Sequence, residues 1–328
     1  MTGLSDSFQR PINYLRISVT DRCNLRCIYC MPEEGVDLMS HADILSYEEI
    51  YTVARVAAGM GINKIRLTGG EPLVRAGLPD LVRLIASIDA VDEITMTTNG
   101  VLLARYAQEL KDAGLSRVNI SLDTLKPERF NMITRCGRLE DTLEGIEAAH
   151  AAGLDPVKIN VVVMAGINDD EIVDFATKTI RDGWNVRFIE HMPVNGDDSD
   201  ILKFVSVNDM KKRIDPLGKM EPFRPSAGNG PAKYFRLPDA TGTIGFITPI
   251  TEHFCYQCNR LRLTADGKMR PCLLSEDEID LREALRRSAP ADELKALIEE
   301  AIARKPAGHN LGKGDDRRKG RPFSQVGG

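Results

Sequence analysis

The chain of 328 residues carries 43 Lys and Arg against 48 Asp and Glu, a formal net charge of −5, with 42% hydrophobic and 28% charged residues. This is the balance of an ordinary folded chain with a sizeable core, and it excludes the broad basic field of a nucleic-acid binder, so any anion must be held by a local pocket. No apolar run reaches the roughly 18 residues of a membrane span, no cationic-then-apolar leader opens the sequence, and six of seven cysteines fall in two triplets, which predicts a cytoplasmic protein whose thiols are ligands rather than disulfides.

In chain order, residues 1–13 read as a flexible start. From 14 to 215 short strands alternate with amphipathic helices, the pattern of βα units around a parallel sheet, an α/β fold. Strands are predicted near 15–19, 64–67, 93–97, 117–122, 157–163 and 185–190. Ser46 and Glu49 make a capping box, after which Ile50, Val53, Ala54 and Ala57 share one helical face and Gly61 stands at the C′ position. Pro79 opens the next helix, with Leu81, Leu84, Ile85 and Ile88 as its stripe. Further helices are expected to stop at Gly114, Gly153 and Gly183, and another covers 207–214.

Directly after the first strand come Cys23, Cys27 and Cys30, spaced x3 then x2. A structural zinc site wants four N/S ligands, and no other Cys or His follows until His41. Three thiolates on a [4Fe-4S] cube instead leave one iron open to a ligand that is not protein. Packed structural thiols are the competing reading, but Asn24, Arg26 and Tyr29 make the segment polar. Gly69-Gly70-Glu71-Pro72 follows the second strand at the end where ligands of parallel sheets bind, either as an ordinary turn or as a close backbone approach to a ligand.

The strands break a rule. Parallel strands covered on both faces should be apolar throughout, yet Arg16 and Ser18, Lys64 and Arg66, Thr95 and Thr97, Asn119 and Ser121, Lys158 and Asn160, and Arg187 alternate with apolar residues. Each strand therefore has one polar face. Either that face meets solvent on an open sheet, or the sheet curves into a partial barrel whose lumen is wet and cationic. The second case predicts a polyanionic ligand such as a triphosphate, because guanidinium forks match phosphate oxygens.

Residues 215–241 are rich in Pro and Gly and read as a connection out of the barrel, followed by a hairpin, 233–237 with 243–247. Cys255, Cys258 and Cys272 then form a second trio, which is either a second cube with an open iron or, with His253, a closed zinc site. Arg260 and Arg262 lie on one side of a strand-like piece near it. Helices are expected at 281–287 and 291–304. The tail carries Lys313, Arg317, Arg318, Lys319 and Arg321 and ends Gly327-Gly328, either as a disordered basic end or as a thin end able to thread into a crowded pocket.

Cys-x3-Cys-x2-Cys with Gly69-Gly70-Glu71-Pro72 resembles the radical S-adenosylmethionine (SAM) superfamily. With Thr97-Thr98-Asn99-Gly100, Ser121-Leu122-Asp123 and Cys255-x2-Cys258-Asn259-Arg260-Leu261-Arg262-Leu263, the chain is similar, over nearly its whole length, to the MoaA family of GTP 3′,8-cyclases, which open molybdenum cofactor biosynthesis. The resemblance implies a partial (β/α)6 TIM-like barrel over 14–215 with a C-terminal α+β extension, 216–305, carrying a second cluster, and a tail, 306–328, reaching the active site. It implies two [4Fe-4S] clusters, on Cys23, Cys27 and Cys30 and on Cys255, Cys258 and Cys272. It implies SAM lined by Tyr29, Gly70, Ser121 and Met192, and GTP held by Arg16, Arg66, Thr97, Lys158, Arg187, Arg260, Leu261 and Arg262, with Arg260 and Arg262 as catalytic residues beside the first trio. A homodimer, a low-potential electron donor and pyranopterin monophosphate synthase as functional partner are further implications, with neither membrane nor nucleic acid involved. Residues 194–199 depart from the family pattern, Phe323 stands where the tail often has Met, and Cys136 is left without a role. The rival readings are a peptide-modifying radical SAM enzyme with an auxiliary cluster and a zinc-stapled binding module.

Overall fold

A computed structural model describes residues 3–192, 203–225, 230–309, 321 and 323–327. Strands β1 (Tyr14–Ser18), β2 (Lys64–Thr68), β3 (Glu93–Thr98), β4 (Arg117–Ser121), β5 (Lys158–Ala165) and β6 (Asn185–Glu190) alternate with helices α1 (Tyr47–Gly59), α2 (Leu78–Ala86), α3 (Leu103–Asp112), α4 (Pro127–Thr134), α5 (Leu139–Ala151) and α6 (Ile172–Arg181). The expected strands are all present within a residue or two of their predicted ends. The crossover from β4 to β5 holds two helices, α4 and α5, of which the sequence reading took one. The capping box forms, with Ser46 Oγ accepting from Glu49 N while Glu49 accepts from Ser46 N. Gly61, Gly114, Gly153 and Gly183 follow their helices at positive φ.

Beyond β6 lie β7 (Lys203–Phe204), α7 (Val207–Ile214), β8 (Glu221–Phe223), β9 (Lys233–Arg236), β10 (Thr243–Ile247), β11 (Arg260–Leu263), β12 (Lys268–Arg270), β13 (Ile279–Asp280), α8 (Arg282–Arg286), α9 (Ala291–Ala303) and α10 (Phe323–Val326). One sheet runs β13-β12-β11-β1-β2-β3-β4-β5-β6-β10-β9-β8, and β7 pairs with β5. Strands β11 and β10 pair in parallel with β1 and β6 respectively. The extension therefore continues the barrel's sheet on both sides, rather than only leaving it, and antiparallel strands end the sheet at each edge.

Alternation decides the layers. Leu15, Ile17, Ile65, Leu67, Met96, Val118, Ile120, Val186 and Phe188 are buried in one core cluster with the helices, which leaves the other side-chain parity to the concave face. The stretch just before β1 is pinned, contrary to the flexible segment expected: Ile12 and Arg10 are buried, and Arg10 donates to the carbonyls of Cys255 and Pro306, both at 2.7 Å. A cation held by backbone carbonyls so far away in sequence leaves no local trace. No helix among the described residues is long and apolar enough to cross a membrane.

Candidate active site

The strand register sets the cations on neighbouring rungs. Arg16 of β1 pairs with Arg66 of β2 on one side and Arg262 of β11 on the other, and Tyr14 pairs with Arg260. Across the sheet Asn119 pairs with Lys158, and Asn160 with Arg187. Arg16, Arg66, Arg117, Lys158, Arg187, Arg260 and Arg262 all line one cavity of about 210 Å³, together with Thr97, Cys255, Cys258 and Cys272. Lys64, of the same parity, stays outside it and faces Glu93 at 4.0 Å.

Crowding like charges out of water weakens each of them. Burial, and then Arg262 and Arg66, hold Arg16 well below the usual arginine value. Burial, then Arg117, Arg187 and Arg66, bring Lys158 down to about 7. Burial leads again for Arg66, down to about 10, and for Arg262, down to about 9. Glu93, ion-paired with Arg117 at 2.8 Å, offsets part of this charge. So do aromatic faces: Tyr14 lies 5.6 Å from Arg66, Tyr234 5.3 Å from Lys158 and Phe254 5.2 Å from Arg260. Arg187 Nε, Thr97 Oγ1 and Asn160 Oδ1 are buried without a hydrogen-bond partner among the described residues, donors and acceptors that a polar ligand would satisfy.

The first trio sits on the loop after β1. Gly69 and Gly70 bring the loop after β2 against it: Gly70 N donates to Thr20 O at 2.9 Å, Glu71 N to Arg22 O at 2.8 Å, and a Cβ on Gly70 would stand 2.3 Å from Arg22 O. The glycines thus serve loop-on-loop contact, whatever else they approach. Glu71 is fully buried, accepts from Asn99 N (2.7 Å), Thr98 Oγ1 (2.8 Å) and Leu73 N (3.0 Å), and burial still pushes its carboxyl up to about 7. Beside the cysteines a small crevice is lined by Cys27, Tyr29, Asn99, Ser121 and Asp123. The Tyr29 hydroxyl donates to Asp123 at 2.7 Å.

The tail runs from the first trio to the wall of the cavity. The Ser324 N–H reaches the Cys30 thiol, while Arg262 Nη1 donates to the carbonyls of Gly327 and, at 3.4 Å, Val326. Arg262 lines the same cavity as Cys258 and Cys272, so one short segment touches both halves. Gly327, at φ +70°, packs on Thr68, and Arg321 anchors the approach on Asp266 at 2.8 Å.

The donor sets fit clusters better than single ions. Tetrahedral zinc spaces its ligand atoms by about 3.3–3.8 Å. Among the described residues only His253, Cys255 and His309 bring three ligand atoms within 4.8 Å of one another, and neither trio does. Wide sets of three free thiols suit a multi-iron cluster, with Leu25 N and Leu274 N each 3.4 Å from a sulfur. Burial pushes the Cys23 thiol up to about 11 and that of Cys30 to about 12. Cys258 is pulled the other way, to about 6, because Arg260 and Lys305 outweigh its burial.

Comparison with known proteins agrees with this layout. Residues 17–178 match the Radical SAM superfamily and 184–311 match Molybdenum Cofactor Synthesis C. A GTP 3′,8-cyclase of Moorella thermoacetica is 54% identical over 325 residues, 99% of this chain and 100% of the relative. That of Pelotomaculum thermopropionicum is 54% identical over 328 residues, again 99% and 100%. The chain belongs to the GTP 3′,8-cyclase family. Among solved structures, Streptococcus suis SuiB bound to S-adenosylmethionine superposes with a TM-score of 0.62 at 14% identity, covering 88% of this chain and 68% of that one. The same protein bound to its precursor peptide SuiA gives 0.64 at 14%, covering 92% and 73%. At that identity the likeness shows the fold.

Membership in the GTP 3′,8-cyclase family brings a [4Fe-4S] cluster and SAM, and the second cysteine motif is consistent with a second cluster. Of the site residues expected from sequence, Arg16, Arg66, Thr97, Lys158, Arg187, Arg260, Arg262, Cys255, Cys258 and Cys272 come together in the cavity, and Met192 joins them there. Tyr29 and Ser121 share the crevice by the first trio. Leu261 differs: its side chain is buried in the core, on the parity opposite to Arg260 and Arg262, and it does not line the cavity. Sequence reasoning missed Tyr14 and Arg117, although they continue the polar parity of Arg16 and Asn119. It also missed Lys305, whose buried ammonium ties Arg260 O (2.7 Å) to Pro271 O (2.6 Å) with no local signal. Residues 194–200, Lys313, Arg317, Arg318, Lys319 and Gly328 lie outside the described residues.

Proposed function

We propose that this chain converts GTP to (8S)-3′,8-cyclo-7,8-dihydroguanosine 5′-triphosphate, joining ribose C3′ to guanine C8, and so begins molybdenum cofactor synthesis. The observation that carries the reading is the concentration of buried guanidinium and ammonium groups around one cavity, a charge that Glu93 offsets only in part and that a bound polyanion would complement. Cys23, Cys27 and Cys30 would hold the cluster that binds SAM, and SAM would be lined by Tyr29, Gly70 and Ser121 and, from the larger cavity, Met192. Cys255, Cys258 and Cys272, which line the same cavity, would hold a second, and a cluster on three thiolates would keep one iron available to the purine. When bound, cluster and SAM would supply the radical chemistry that activates the ribose C3′ position.

The chain's own residues supply position. Arg16, Arg66, Lys158 and Arg187, with Arg117, grip the triphosphate, while Arg260 and Arg262 on β11 stand between it and the second trio. Fixing both ends of GTP holds C3′ against C8, the geometry that makes the ring closure unimolecular. Arg262 also binds the tail, which closes the cavity against water and side reactions. In this reading the enzyme is a cytoplasmic homodimer, takes electrons from a low-potential donor and passes its product to pyranopterin monophosphate synthase.

The test is anaerobic incubation of the iron-loaded chain with dithionite, SAM and GTP. Formation of 5′-deoxyadenosine and of the cyclised nucleotide in equal amounts is expected. Production of neither, from protein with both clusters filled, overturns the assignment.

A further inference from the structure

We propose that His253, Cys255 and His309 form a site for one borderline divalent cation, Zn²⁺ in particular, and that its occupancy excludes an iron–sulfur cluster from the second cysteine trio. His253 Nδ1 and His309 Nε2 lie 3.2 Å apart. That is close to the edge of a nitrogen-ligated zinc tetrahedron, about 3.3 Å. Cys255 Sγ completes a set in which all ligand atoms fall within 4.8 Å. A hydrogen bond between the rings accounts for their spacing alone but not for the thiol beside them. The rings stand edge to face at 69° with centroids 4.6 Å apart, so their nitrogens converge where stacked rings would keep them apart.

The two segments that supply these ligands are fastened together. Arg10, only 4% exposed and ion-paired with Asp6 at 2.6 Å, donates to Cys255 O (2.7 Å), Pro306 O (2.7 Å) and Ala307 O (3.1 Å). Gly308 then passes so close that a Cβ there would sit 3.8 Å from Cys255 Sγ. Preorganisation of this kind lowers the entropic cost of closing a metal site. His253 is exposed while Cys255 and His309 are half-buried, so a cation arrives from solvent and a water completes its shell. Two imidazoles and one thiolate favour Zn²⁺ over Fe²⁺ in the usual order of divalent affinities.

One sulfur cannot serve both occupants in their preferred geometry. A cation held here draws Cys255 toward the histidines and leaves Cys258 and Cys272 as a pair. This exclusion rests on the reading of Cys255 as a cluster ligand, whereas the cation site itself does not. Zinc would thereby block the purine side of the cavity and leave the first trio untouched.

The full chain, stripped of iron and kept reduced, is titrated with Co²⁺ as a spectroscopic stand-in for Zn²⁺. One equivalent should produce thiolate-to-cobalt charge transfer and intense tetrahedral bands, both displaced by Zn²⁺. His253→Ala and His309→Ala should each weaken binding at least about tenfold, while Cys258→Ser leaves the spectrum in place. Bands that survive both histidine changes and vanish in Cys258→Ser would put cobalt on the trio and overturn the site. Zinc-loaded wild type is then reconstituted with iron and sulfide. Uptake should drop from about eight to about four irons per chain, and the double histidine variant should recover the full amount. Eight irons in the zinc-loaded protein would overturn the exclusion. A Cys255→Ala variant that also keeps eight irons would show that the fault lies in the cluster reading and not in the cation site.

Discussion

Lys158 illustrates how the cavity trades stability for binding. Burial and the neighbouring Arg117, Arg187 and Arg66 lower it to about 7, against an ordinary value of 10.5. The unfolded chain therefore holds a proton that the ligand-free fold sheds between those values, so this group makes stability rise with pH across that window and fall as pH drops through it. A triphosphate bound beside Lys158 would add countercharge and return the proton. GTP binding at pH 8 should thus take up protons, read by calorimetry in buffers of different ionisation enthalpy. Lys158→Met should reduce that uptake, raise the ligand-free Tm at pH 7 by about 3 °C or more, flatten the pH slope of stability, and weaken GTP binding by at least about tenfold. An unchanged slope with unchanged proton uptake would mean that Lys158 is not part of the anion site.

At the scale of elements, what was legible is what is local. The capping box at Ser46 and Glu49 and the stop signals Gly114, Gly153 and Gly183 are decided by neighbours in sequence, and the polar parity of β1 to β6 shows which face became the lumen. The pairing of β11 with β1 and of β10 with β6 was not legible, because parallel partners about 60 to 250 residues apart share no turn that would announce them. Helix α4 was missed because Pro127 opens a turn as readily as a helix. The tail was legible only as a thin end. Its placement depends on Gly327, where φ is +70° and a Cβ would stand 2.4 Å from Thr68 Cγ2. Gly327→Ala should therefore displace α10 from Arg262 and lower cyclisation by about a hundredfold, the usual cost of small misplacements near the reacting atoms, with iron content and Tm unchanged. Adding Thr68→Ser removes the opposing methyl and should restore part of the rate. Failure of the double variant to recover would locate the defect in backbone strain alone.

Considered as a whole, the molecule carries one sheet across residue 215, where the composition shifts. Strand β11 covers the edge of β1 over four paired residues, from Tyr14 with Arg260 to Ile17 with Leu263, and β10 covers β6 over five. Removing everything after 215 would open both edges of the parallel sheet, the arrangement most prone to pair with other chains. It would also strip Ile244, Phe246, Leu261 and Leu263, all at most 1% exposed, from the core, including the stack of Phe246 on Phe188 at 6.0 Å. Burying each such side chain contributes about 1.5–3 kcal/mol, so losing the four approaches the roughly 5–15 kcal/mol that holds a whole domain folded. A fragment of residues 1–215 should therefore aggregate, or show no cooperative melt by calorimetry, even though it retains all six βα units and the first trio. A monomeric fragment with a sharp transition would show the barrel to be autonomous. The coupling has a chemical consequence: Arg260 and Arg262 reach the lumen from the strand that seals its edge, so the cavity forms only when the second trio's segment has folded onto the first strand.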